Sequence, residues 1–171
     1  LIKSAVKQYQ SDISARITWT VQSPTPFVEN LIHFWSDHFT VSAQKKEIIP
    51  LVAAHEREAI RPHIFGHFYD LVMAAILHPA MLIYLDNIQS FGPTSTIGKR
   101  RKRGLNENLA REILELHILG VDGGYTQKDV QELAKALTGW TVSLRKGNHH
   151  SSQFFAPAHE KGMKIILGKS Y

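Results

Sequence analysis

A chain of 171 residues with 43% hydrophobic content is long enough to bury one sizeable core, so a single helical domain over 1–171 is the expectation. The absence of cysteine excludes disulfides, thiolate metal ligands and a cysteine nucleophile together. The formal net charge of +5 is concentrated in one place, because Lys99, Arg100, Arg101, Lys102 and Arg103 carry a charge equal to the whole excess.

Residues 1–22 place Ala5, Val6, Tyr9, Ile13 and Ile17 at helical spacing, which predicts an amphipathic helix. Ser23, Pro24, Thr25 and Pro26 end it, and Thr25 with Pro26 predicts the N-cap and first position of a second helix over 26–39. Val28, Leu31, Ile32, Trp35 and Phe39 form its apolar face. His38 falls at the edge of that face, as a buried hydrogen-bonding group or a functional imidazole, whereas His33 and Asp37 project to the polar side. Residues 47–60 are weakly helical, and Pro62 resets the chain.

A clear helix is predicted over 63–78, with Phe65, Phe68, Tyr69, Val72, Ala75 and Ile76 on one side. His63, His67 and Asp70 follow at i, i+4, i+7 on the other, a spacing that offers three ligands to a divalent metal. A polar helix face needs such residues anyway, and no glutamate stands between the histidines as in the HExxH protease helix. Residues 80–87 form a short helix, apolar nearly all round and therefore central to the packing, with Asp86 and Asn87 at its end. The Gly, Pro, Ser, Thr, Lys and Arg content of 89–104 reads as a long surface loop. Its basic run suits nucleic acid or an anionic surface through counterion release and Coulomb attraction. No aromatic interleaves the charges, which favours a solvated linker and makes nucleic acid a poor partner.

From Asn106, an N-cap type, a helix is predicted with Leu109, Ala110, Ile113, Leu114 and Leu116 on its inner arc. His117 projects into that arc, where a hydrogen-bonded core histidine competes with a ligand or base. Gly120, Gly123 and Gly124 supply a stop, and Thr126 with Asp129 predicts a capping box opening a helix over 127–138. A calcium loop does not fit: with Asp122 as first ligand, the bidentate acid position falls on Leu133. After Trp140 the pattern turns strand-like at 140–144, 153–155 and 164–167, predicting a small hairpin. His149, His150 and His159 lie in polar loop sequence, a weak pattern for a metal cluster. Neither a GxSxG elbow nor Walker glycine spacing occurs, and no stretch approaches the ~20 apolar residues of a membrane-spanning helix.

The run NENLAREILELHILGVDGGYTQKDVQELAKALTGWTV, with FWSDHFTVS at 34–42 and EREAIRPH at 56–63, resembles the bacterial domain of unknown function 1800 family over essentially the whole chain. The resemblance implies a mainly helical fold and a large, often exported protein, hence an extracytoplasmic setting, periplasmic or secreted, and a family domain extending beyond both ends. It names no reaction. Relatives can carry Phe where His117 stands, and favour His-Asp where this chain has His159 and Glu160.

The expected architecture is a mainly α, irregular multi-helix domain with a small C-terminal β element, part of a longer domain. The leading functional reading is a scaffold or interaction domain for a protein partner at the cell surface or in the periplasm, with no cofactor. Two alternatives stand beside it. One is an enzyme, such as a metal-assisted hydrolase, with His38 and Glu112 as catalytic candidates, Arg61, His63 and Asn108 as binding candidates, and His63, His67 and Asp70 as metal candidates. The other is a weak binder of nucleic acid or an anionic surface through residues 99–103.

Overall fold

The computed structural model describes residues 2–143 and 151–171. The protein is mainly α, and among the described residues strands are confined to two small two-stranded sheets near the C-terminal end. The chain forms two compact units, Leu1–Tyr84 and Leu85–Tyr171.

In the first unit, α1 (Ile2–Gln22) and α2 (Pro26–His38) follow the expected order. Thr25 occupies the N-cap position of α2 without a side-chain cap; its hydroxyl lies 3.2 Å from that of Ser23 instead. Segment 47–60 is not one helix. A 3-10 turn (Ile49–Leu51) leads to α3 (Val52–His55), a π-helical stretch (Glu56–Ile60) and another 3-10 turn (Arg61–His63). The helix expected over 63–78 is shorter. It begins as α4 at Phe68, ends at Leu77, and buries Leu71, Val72, Ala75 and Ile76. Phe65, Phe68 and Tyr69, expected on the apolar side, are exposed; Phe65 lies in the turn before α4, and Phe68 and Tyr69 in its first turn. α5 (Pro79–Tyr84) packs on α3 and α4 and is buried over its first five residues. The Lys45 ammonium donates to the last carbonyls of α5, Ile83 at 2.9 Å and Tyr84 at 2.8 Å, satisfying acceptors that a helix end leaves open.

In the second unit, Asp86 has φ 58°, so the helix expected to run to Asn87 has already ended. Asn87, 2% exposed, donates to the carbonyls of Leu137 (3.2 Å) and Trp140 (3.0 Å) and so ties the unit's first residues to its later half. Within the expected loop 89–104 lies α6 (Thr96–Arg101), capped by the Ser95 hydroxyl, which accepts from the Gly98 N–H at 3.0 Å. Gly92 permits a close crossing, since a Cβ there would lie 2.5 Å from the Glu160 backbone nitrogen.

α7 (Asn108–Glu112) continues as a π-helical stretch (Ile113–Ile118). The Asn106 side chain accepts from the Asn108 N–H at 3.0 Å, although the helix starts after Glu107. The buried set is Leu109, Ala110, Ile113, Leu114 and His117; Leu116, expected inside, is 54% exposed. α8 (Gln127–Leu137) opens with the capping box of Thr126 and Asp129. Gly139, with φ +91°, turns the chain into β1 (Trp140–Ser143), which pairs antiparallel with β2 (Ser151–Phe154), Trp140 opposite Phe154. β3 (Ile165–Ile166) and β4 (Lys169–Ser170) form the second hairpin. Leu144, His149 and His150 lie outside the described residues, so the strand end and the histidine cluster expected there do too. Among the described residues no helix is long and apolar enough to cross a membrane.

Candidate functional site

α2 carries a carboxylate on its inner side. Glu29 is 3% exposed, and an unpaired charge in that position would lose most of its hydration without compensation. Arg61 supplies the pairing, its two terminal nitrogens donating to the two Glu29 oxygens at 3.0 and 2.8 Å in the bidentate geometry that suits a guanidinium. The Trp19 indole N–H of α1 donates to the same carboxylate at 3.0 Å. Arg61 also reaches Glu56, whose oxygen accepts from Nε at 2.9 Å, and the second Glu56 oxygen pairs with Arg16 Nε at 2.6 Å. The Ser36 hydroxyl completes the set, donating to Glu56 at 3.4 Å. The hydrogen bonds from Arg61 hold the Glu29 carboxyl below its usual value against the opposing effect of burial; the charge of Arg61 and the Trp19 indole act in the same direction.

This network borders a cleft of about 570 Å³. α1 contributes Tyr9, Asp12, Ile13, Arg16 and Trp19; the end of α2 contributes Ser36, Asp37 and Thr40; the α3 and π segments contribute Val52, His55 and Glu56. His55 is buried, with Nε2 3.3 Å from the Ala75 carbonyl and its ring 5.1 Å from that of His78. Burial pushes the His78 imidazole below its usual value, while Glu58 acts the other way.

Of the candidates named from the sequence, Arg61 lines this cleft. His38 is half-buried among rings, 4.7 Å from Phe39 and 5.5 Å from Trp35. The Nδ1 of His63, in the 3-10 turn, lies 2.9 Å from the Ala59 carbonyl of the preceding π segment. His67 is the residue before α4 and Asp70 lies in its first turn, both exposed. His63 thus lies outside that helix, and the i, i+4, i+7 face proposed for a metal is not formed. Among the described residues no group of three His, Asp or Glu is placed to hold a metal ion.

Asn108 and Glu112 belong to the second unit. Asn108 is exposed; Glu112 is half-buried, and burial, followed by the charge of Glu115, pushes its carboxyl above the usual value. The sequence profile described as "Protein of unknown function (DUF1800)" matches residues 2–171. The chain belongs to the DUF1800 family. No curated protein and no solved structure shows significant similarity to it.

In this DUF1800 chain the His159 and Glu160 pair has a bracing role. The Glu160 carboxylate accepts from the Thr94 hydroxyl at 2.7 Å and the Thr94 N–H at 2.8 Å, and its own N–H donates to the Thr138 hydroxyl at 2.8 Å. His159 Nδ1 lies 2.8 Å from the Thr138 carbonyl, and Lys164 donates to the Glu160 carbonyl at 2.6 Å. The glutamate therefore anchors the loop that precedes α6.

Sequence reasoning named Arg61 but missed Glu29, Glu56, Arg16 and Trp19. The available signal was Glu29 itself, an acid one turn before the inward-facing Ile32 of α2. Replacing Arg61 with Met leaves Glu29 buried and unpaired, at an expected cost of about 3–5 kcal/mol in denaturant unfolding. A carboxyl held below its usual value contributes stability that is full above the ordinary glutamate pKa and lost as pH falls through the depressed one. Wild-type stability therefore declines in acid below that ordinary pKa, and R61M has a weaker dependence in that window. A parallel decline in the two proteins contradicts the assignment.

Proposed function

We propose that this DUF1800 chain is an interaction domain of an exported bacterial protein, a scaffold whose first unit presents the face of α1 to a protein partner in the periplasm or at the cell surface. The observation that supports this reading is the state of α1. Ile13, Ile17 and Val21 follow at i, i+4, i+8 and are 40%, 60% and 80% exposed, on a helix that has no fully buried side chain among its described residues. An apolar set of this kind on one helix is the usual mark of a contact surface. Beneath it, Arg16, Glu29, Glu56 and Arg61 are paired with one another, which holds the helix in place and leaves the apolar side chains as its outward offering. The exported setting rests on the resemblance to the family.

An enzyme is the second reading, favoured by Glu112. Its carboxyl is pushed toward the protonated form, and it stands directly before a π-helical stretch, a feature frequent at functional sites.

A photo-reactive residue at Ile17 or Val21, introduced into the protein in its native bacterium, is expected to give a discrete adduct with one envelope protein, lost in an Ile17→Glu variant that keeps its helical circular dichroism. The same adducts from a probe at exposed Asn30, or none from α1, contradict the interaction reading. For the enzyme reading, hydrolysis of a panel of esters and peptides is expected to fall by at least roughly a hundredfold in Glu112→Gln, the scale of a lost general acid or base; unchanged turnover removes it.

A further inference from the structure

The second unit contains a cleft of about 400 Å³ that plays no part in the reading above. Its lining is more apolar than polar: Phe91, Ile97 and Ala158 form a buried cluster, joined by Trp140 and Val142, with Thr141 and Gln153 as polar members. Among the described residues Arg101 is the charged side chain of this lining. Arg101 is exposed, with its guanidinium carbon 5.6 Å from the centroid of the Phe91 ring. The ring thus holds the charge at the opening, where it stays hydrated and can receive an anion.

The surroundings of Arg101 have the same sign. Lys99, Arg100, Lys102 and Arg103 are exposed, and no ion pair to a carboxylate is formed by any of the five among the described residues. The last turn of α6 holds Lys99, Arg100 and Arg101 there at little cost, since a helix C-terminus favours cations. Their summed field concentrates anions at the opening of an apolar cleft.

We propose that this cleft binds a single-chain anionic amphiphile, a long-chain carboxylate whose alkyl chain enters between Phe91, Ile97 and Val142 and whose headgroup is held by Arg101. The volume lies within the range of small-molecule sites, and a guanidinium matches a carboxylate with two parallel hydrogen bonds. A neutral apolar ligand would leave the cations without a role. A nucleic acid would need a stacking ring open to its bases, whereas Phe91 is 8% exposed and already covered by Arg101.

The test is calorimetric titration of the whole chain with dodecanoate, kept below its micelle-forming concentration, alongside dodecyltrimethylammonium, inorganic phosphate and a single-stranded oligothymidylate. Saturable binding of one dodecanoate per chain is expected, with the cationic amphiphile and phosphate each at least roughly tenfold weaker, since chain and charge both contribute. Arg101→Ala is expected to weaken dodecanoate by a similar factor while circular dichroism stays unchanged. No dodecanoate binding, equal affinity for the cationic amphiphile, or tighter binding of phosphate or the oligonucleotide overturns the proposal. The ligand comparison needs no variant, so it decides even where the substitution alters folding.

Discussion

A carboxylate with 3% of its surface in water has to be compensated by the residues around it, and in the first unit that requirement acts on Glu29. The desolvation of a carboxylate costs several kcal/mol, of the same order as the whole stability of a small domain. Such a group persists only where its partners are fixed in geometry. Here they come from separate stretches: Trp19 from α1, and Arg61 from the 3-10 turn after the π segment. Arg61 then shares itself with Glu56, and Glu56 with Arg16 of α1. The pairing is therefore a geometric constraint on how α1, α2 and the 56–61 segment sit within their unit. Removing Arg61 leaves Glu29 as a buried, unpaired charge, which is why the network specifies arrangement more than it adds stability.

The second unit solves a similar problem with neutral groups and one acid. Asn87 satisfies the carbonyls at the end of α8 and in β1, and Glu160 satisfies the loop before α6. Gly92 is a consequence, because the two backbones approach more closely than a Cβ allows. The firm seating of that loop keeps the cations of α6 beside the apolar cleft, so a structural brace has a consequence for what the surface can bind.

Much of the helical layout was legible from spacing alone. The inner stripe of α2 and the capping box of α8 follow from local rules that tertiary contacts did not override. The misses share physical causes. α6 is six residues long and held by the Ser95 cap and the burial of Ile97, too short to produce a periodic signal. The π stretches insert a residue into the turn, which a 3.6-residue pattern cannot register; Leu116, expected inside, consequently lies outside, while His117 is inside as expected. The i, i+4, i+7 helix face expected for His63, His67 and Asp70 is not formed, because a turn separates His63 from α4. As for the candidate site, Arg61 stood out as a motif residue, but its partner Glu29 did not. An acid beside an apolar stripe reads as surface until a guanidinium distant in sequence is brought to it.

The most direct measurement is the titration of the Glu29 carboxyl itself, followed by carbon NMR with selectively labelled glutamate and assigned through a Glu29→Gln variant, together with the Trp19 indole proton. The account predicts that Glu29 titrates below the ordinary glutamate range and that the indole resonance shifts in the same step. Titration at or above that range, or an indole signal indifferent to it, would contradict the claim that this carboxylate holds the first unit together.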